Sequence, residues 1–296
     1  MNSLATVPRL SPEMLRGILM MALGMTLVPM LDVCAKILSE TIPLTQIVWA
    51  RFATSTLMLL PLIRWRYPQV RLRQLAWRWQ VPRAIFMVLA TLGFFGAIRE
   101  MPIPDALALA FVYPILVTLA ASFLLKESVG WARWLASGVG FIGVLVILRP
   151  GFGVFQPEML YALGAGATFA AYVVVTRRMK GSDPPLVTLT CTSGLCALGF
   201  LATFPLGWVV PTWSELALMI GVGFFGSAGH YFLIRALDYA PASLLAPFGY
   251  FEMVSSVILS YLVFSTLPDA LTFLGIAIIV CSGIVLSRLE NSAHGQ

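Results

Sequence analysis

Runs of roughly 20 mainly apolar residues alternate along this chain with short breaks of proline, glycine and charge. Ten runs, near 15–38, 44–63, 82–99, 104–125, 131–148, 158–178, 186–207, 214–236, 240–264 and 268–287, are long and apolar enough to predict helices that cross a membrane. The predicted fold class is therefore an all-α integral membrane protein of ten transmembrane helices. Ten spans and their loops use nearly the whole length, so no soluble domain fits beside them. The first run follows Arg9 and Arg16 and carries Val33-Cys34-Ala35, the outline of a cleavable secretion signal. Cleavage would remove a helix that the rest of the pattern needs, and an uncleaved first span is expected.

Composition sharpens this picture: 59% of the 296 residues are hydrophobic, 11% are charged, and the mean hydropathy is +0.90. The solvent is lipid. The net charge of +6 does not point to nucleic acid, because the basic residues sit in the breaks. With a cytoplasmic amino terminus, Arg9, Arg16, the segment Arg64 to Arg83, Lys126, Arg133, Arg177, Arg178, Lys180, Arg235 and Arg288 all fall inside. Lys36, Arg99 and Arg149 fall outside, and Arg51 lies within a span. The positive-inside rule then places both termini in the cytoplasm, and the expected location is as a multi-pass protein of the bacterial inner membrane. Seven of the eight tryptophans lie at span ends or in breaks, at headgroup level; Trp49 is the exception. The segment Arg64 to Arg83 reads equally as an interfacial helix or a solvated topology loop. Cys34, Cys191, Cys196 and Cys281 fall in spans without metal-ligand spacing, which predicts packing residues and no metal site.

A weak internal repeat runs through the breaks. Ile98-Arg99 and Ala106-Leu107 answer Ile234-Arg235 and Ala242-Ser243 at a separation of about 136 positions. Leu60-Pro61-Leu62 answers Phe204-Pro205-Leu206 at a slightly larger offset. Each half, 1–150 and 151–296, holds five spans, and because five is odd the second copy is inverted relative to the first. In transporters of this plan the substrate site lies between the repeats. Pro114 in span four and Pro247 in span nine interrupt corresponding helices, which marks the same place. Small pairs at four-residue spacing, Ala136/Gly140, Gly166/Ala170 and Gly223/Ser227, predict close helix packing.

Charges inside spans are the candidate chemistry, since each must face a cavity or a partner. Glu252, five residues after Pro247, is placed to hold a substrate amine or a coupling proton, or to make a structural hydrogen bond. Arg51 can grip a carboxylate with a forked geometry. Asp32 and Lys36, one turn apart, can join it in binding a zwitterion, or can neutralise it and close the outer gate. His230 is a proton carrier or a packing residue. Trp49, Tyr113, Tyr172 and Tyr250 are candidate stacking surfaces for the substrate. No catalytic residues are assigned: neither H-E-x-x-H nor G-x-S-x-G occurs, and no P-loop motor is present.

Asp32, Lys36, the stretch Gln46-Ile47-Val48-Trp49-Ala50-Arg51-Phe52, and the run from Tyr113-Pro114-Ile115 to Leu124-Leu125-Lys126-Glu127 followed by Gly138 and Gly143, resemble the EamA type of the drug/metabolite transporter superfamily. The second copy departs from that pattern, with Ser265 or Thr266 where Glu127 would recur and Glu252 near the position of Pro114. The resemblance implies two inverted five-helix repeats and secondary transport of a small molecule, without enzymatic activity or a cofactor. The mixture of carboxylate, guanidinium and aromatics suits export of a small zwitterionic or amphipathic metabolite, amino-acid-like or a metallophore, driven by protons or by exchange. The alternative is an importer or exchanger of a vitamin or nucleoside-like compound, of riboflavin or S-adenosylmethionine type. An intramembrane enzyme is the non-transporter alternative, and a homodimer is compatible with the plan. A single cysteine at Gln74, in a chain freed of its four native cysteines, should react with a membrane-impermeant maleimide in inside-out vesicles and stay unlabelled in intact spheroplasts. The reverse pattern overturns the orientation.

Overall fold

The computed structural model describes residues 11–124, 131–149, 156–179, 182–240 and 245–294, and helices occupy each of the ten apolar runs. In chain order they are α1 (Pro12–Leu38), α2 (Leu44–Arg66), α3 (Trp77–Glu100), α4 (Ile103–Ala110), α5 (Tyr113–Leu124), α6 (Trp131–Leu148), α7 (Glu158–Arg178), α8 (Pro185–Leu201), α9 (Trp213–Tyr239), α10 (Phe251–Phe264) and α11 (Ala270–His294). Span four is the pair α4 and α5, and span nine enters through a 3-10 turn, Ala246–Tyr250, before α10. Arg9, Lys126, Glu127, Lys180 and Ala242-Ser243 lie outside the described residues.

Local chemistry sets the helix ends. Ser11 caps α1, its hydroxyl accepting from the Met14 N–H at 3.2 Å, with Pro12 at the first helical position. Thr212 and Glu215 form a capping box at the start of α9. Asp269 caps α11 by accepting from the Thr272 N–H at 2.8 Å, and it also pairs with Arg149. The Arg149 guanidinium, with the Thr272 N–H, holds the Asp269 carboxyl below the usual carboxylate range. This clasp therefore keeps its charge through the pH at which free carboxylates titrate, and loses it only in stronger acid.

The expected interruption at Pro114 is present, but the break falls just before it, at Phe111 and Val112. Pro114 sits in the first turn of α5, where a missing N–H costs nothing and the fixed φ suits the helix. Pro247 likewise lies in the turn that precedes α10. The segment Arg64 to Arg83 is a connecting loop only over 67–76, since Arg64 to Arg66 still belong to α2. It holds a turn and a single 3-10 turn at Leu72–Gln74, and from Trp77 it is already α3. Arg83 is thus not a loop residue: it is 5% exposed, inside the bundle.

Packing follows the repeat. α1 lies along α9 as α3 lies along α7; α2 packs on α9 as α3 packs on α8; α1 meets α10 as α7 meets α4 and α5. The pairs α2 with α8, α6 with α11 and α4 with α10 are their own counterparts under exchange of the halves. Ten spans in two inverted five-helix repeats account for every one of these contacts.

Close approach depends on small residues. A Cβ on Gly24 would lie 2.9 Å from the Gly229 carbonyl, and one on Gly93 would lie 2.9 Å from the Tyr161 carbonyl beside Ala165, the matched contact in the other half. Gly143 and Gly275 meet face to face between α6 and α11, each Cβ position 2.8 Å from the other's carbonyl oxygen. The pairing is inside out relative to a water-soluble protein: Leu57 and Leu198 are 71% and 67% exposed, to lipid, while Asp32, Gln80, Thr91 and Thr192 are buried. Gly143→Leu is expected to destabilise the protein by about 1–3 kcal/mol or to prevent folding. Gly138→Leu, with no atom within 4 Å of its Cβ position, should be tolerated. Thermal unfolding in nanodiscs reads the difference, and equal effects of the two would discount the α6–α11 seam.

Candidate transport site

The two broken spans cross at the middle of the bundle, where α4 meets α10 and both meet α1 or α7. At a break the backbone loses helical hydrogen bonds, and such breaks persist at membrane depth only where protein or a cavity surrounds them. Glu252 occupies the first turn of α10, where the helix N-terminus favours an anion. Asp32, 2% exposed on α1, lies within electrostatic reach of both Glu252 and Arg51. Arg51 Nη1 donates to Thr91 Oγ1 at 3.1 Å, and its guanidinium packs over the rings of Phe52 and Phe95 at 5.4 and 5.5 Å. Two carboxylates and one guanidinium from α1, α2 and α10 therefore share one interior.

Three of the expected aromatics form a continuous ladder. Tyr250 contacts Phe111 at 5.7 Å between centroids, Phe111 contacts Tyr113 at 5.7 Å, Tyr113 meets Phe169 edge-on at 5.0 Å, and Phe169 stacks on Tyr172 at 5.4 Å. The Tyr172 ring carries the Arg83 guanidinium 4.5 Å from its centroid. Trp49 stands apart: it packs on Trp208 at 5.0 Å, and Trp208 on Phe204, in a cluster at the α8–α9 connection. Two residues from Arg51 on a helix, Trp49 points to nearly the opposite side.

Lys36 is also drawn elsewhere. Its ammonium donates to the Ile98 carbonyl and, at 2.8 Å, to the Met101 carbonyl, and it lies 5.7 Å from the Phe264 ring. It satisfies carbonyls left open at the end of α3 rather than pairing with Asp32. His230 Nδ1 lies 2.8 Å from the Gly226 carbonyl. A carbonyl only accepts, so Nδ1 carries the proton and Nε2 is left as the acceptor. His230 and Arg51 line a common cavity between α2, α3, α8 and α9.

The residue that sequence reasoning missed is Arg83. Its Nε donates to Thr176 Oγ1 at 2.8 Å, one Nη to the Thr188 carbonyl at 2.9 Å and to Thr192 Oγ1, and the other Nη to the Tyr172 hydroxyl. The signal was present in helical spacing: Gln80, Arg83, Met87 and Thr91 recur at three and four, on the stripe that α3 buries.

These features define a ten-span inverted-repeat carrier with a polar interior at its helix breaks. The EamA-like transporter family matches residues 15–149 and 156–288, and the chain belongs to that family. An S-adenosylmethionine uptake transporter of Rickettsia prowazekii is 29% identical over 94% of this chain and 95% of its own. A riboflavin transporter of Vibrio cholerae is 27% identical over 84% and 85%, and a pseudopaline exporter of Pseudomonas aeruginosa is 30% identical over 93% and 97%. A solved crystal structure, 22% identical, has the same fold with a TM-score of 0.64, over 94% of this chain and 98% of its own.

Lys36→Met should lower stability by about 1–3 kcal/mol, because two carbonyls lose a charged donor, and leave substrate affinity unchanged. A selective loss of affinity with unaltered unfolding would instead return Lys36 to the binding site.

Proposed function

We propose that this chain is a secondary carrier for a small zwitterionic metabolite that bears a planar ring, with S-adenosylmethionine as the model compound. The observation that carries the reading is the aromatic ladder from Tyr250 to Tyr172, with Asp32 and Glu252 near one end and Arg83 on the other. A planar ring stacks along the ladder, a cationic group is drawn to the carboxylates, and a carboxylate to the guanidinium groups. Relatives named for S-adenosylmethionine and for riboflavin support a planar cargo. The halves 1–150 and 151–296 rock against each other about the broken spans, with both termini cytoplasmic in a bacterial inner membrane.

Two carboxylates beside one guanidinium leave one negative charge to be met, and in this interior it is met by a proton or by the cargo's cation. Glu252 is the proton site, and Asp32 balances the charge of Arg51 across the interior without a direct ion pair, which leaves guanidinium N–H groups to meet the cargo. An alternating site of this kind works in either direction, and uptake and export relatives share the family. The sign of the driving gradient decides between the export expected from site chemistry and uptake.

In proteoliposomes loaded under a pH gradient of either sign, labelled S-adenosylmethionine should accumulate for one sign only. Glu252→Gln should cut gradient-driven accumulation at least tenfold while counterflow exchange and thermal stability persist. Unchanged pH dependence in the variant removes Glu252 from coupling, and no movement of the label under either gradient sinks the substrate class.

A further inference from the structure

The cavity that Arg51 and His230 share is lined by neither Asp32 nor Glu252, and its mainly apolar walls of Phe52, Leu59, Met87 and Leu189 carry a set of polar side chains. Arg51 and Ser55 come from α2, Thr192 and Ser193 from α8, and Ser227 and His230 from α9. Its volume is about 20 Å³, room for one or two water-sized groups, and so for the head of a carboxylate but not for a metabolite's body. Arg83 stands behind its α8 wall, donating to Thr192, which itself faces the cavity.

Two observations point to an anion here. The acceptors of Arg83 are a carbonyl, two threonine hydroxyls and a tyrosine hydroxyl, none of them charged. The nearby Asp183 is engaged by Gln80 and the Ala76 N–H. A guanidinium buried at membrane depth among neutral acceptors stabilises any anion that comes within reach. The second observation is Ser227, 5% exposed, whose side chain lines the cavity and whose hydroxyl has no hydrogen-bond partner among the described residues. Its matched position in the first half is Thr91, the acceptor of Arg51.

We propose that this cavity is the carboxylate subsite of the carrier, gripped by Arg51 with the Ser227 hydroxyl as a second donor, while Arg83, bonded to Thr192 in the cavity wall, positions that wall and adds its positive charge. The assignment rests on the carrier reading for the statement that the anion belongs to the cargo. The ring of such a cargo leaves the cavity beside Tyr172, at the end of the aromatic ladder, and its cationic group extends toward Asp32 and Glu252. Specificity then requires a carboxylate, a planar body and a cation in that order.

Full-length protein in nanodiscs is titrated with S-adenosylmethionine, with its decarboxylated analogue, and with acetate against equal chloride. The wild type should prefer S-adenosylmethionine over the decarboxylated form about tenfold or more, and acetate should raise its unfolding temperature. Arg83→Met should erase both effects, Arg83→Lys should keep part of them, and Ser227→Ala should narrow the preference severalfold. Stabilisation by acetate in the wild type alone, with no response to S-adenosylmethionine, supports the subsite and sinks the substrate class. Full carboxylate discrimination in Arg83→Met overturns the subsite, as does a wild type that ignores every carboxylate. Should Arg83→Met fail to fold, wild-type discrimination in both Arg83→Lys and Ser227→Ala overturns it.

Discussion

A charge at the depth of Asp32, Arg51 or Arg83 cannot face hydrocarbon, because its desolvation costs several kcal/mol unless another group answers it. Much of this molecule follows from that constraint. Apolar side chains such as Leu57 and Leu198 turn to lipid, and the polar stripes of α1, α2, α3, α8 and α9 converge on one interior. The convergence is what gives a transporter a place to hold a polar cargo. A bundle of equal hydropathy without these charges would pack as well and carry nothing polar.

The backbone obeys the same rule. Carbonyls freed at Phe111 and Val112, and at the turn before α10, are tolerable only because the two breaks face each other inside the bundle. Small residues let the halves come together: Gly24 against Gly229 and Ala165 against Gly93 are the same contact used twice. Helices that touch through glycine present smooth surfaces, and smooth surfaces can slide. The seam between α6 and α11, closed by Gly143 and Gly275, holds the halves at one edge while the broken spans meet at the centre.

The spans and their inversion were legible because hydropathy over roughly 20 residues is a strong signal and an odd number of spans per repeat leaves one arrangement. Arg51, Asp32 and Glu252 were legible for the same reason, as charges where charge is costly. Arg83 was not, because Pro82 and the run of arginines before it look like the end of a loop. Proline is welcome in the first turns of a helix, so the boundary lay nearer Trp77. Lys36 and Trp49 were drawn to the site by sequence proximity to Asp32 and Arg51. A helix rotates about 100° per residue, and only the packing of neighbours decides which of two close residues faces inward.

The repeat is symmetric in backbone and asymmetric in charge, and the asymmetry has a consequence for transport. Arg51 falls opposite the uncharged helix α8, Arg83 is matched by the buried Met219, and Glu252 falls near the position of Pro114. Had the charges been duplicated with the helices, the interior would hold two equivalent anion grips related by the pseudo-two-fold axis. A zwitterion could then bind in either of two opposed directions with equal affinity. With Arg51 and Arg83 in the first half and Glu252 in the second, the cargo of the proposed site would touch both halves at once. On that proposal, rocking the halves would move the guanidinium groups relative to Glu252, so that opening the site on either side would loosen a cargo held at both ends in the closed state.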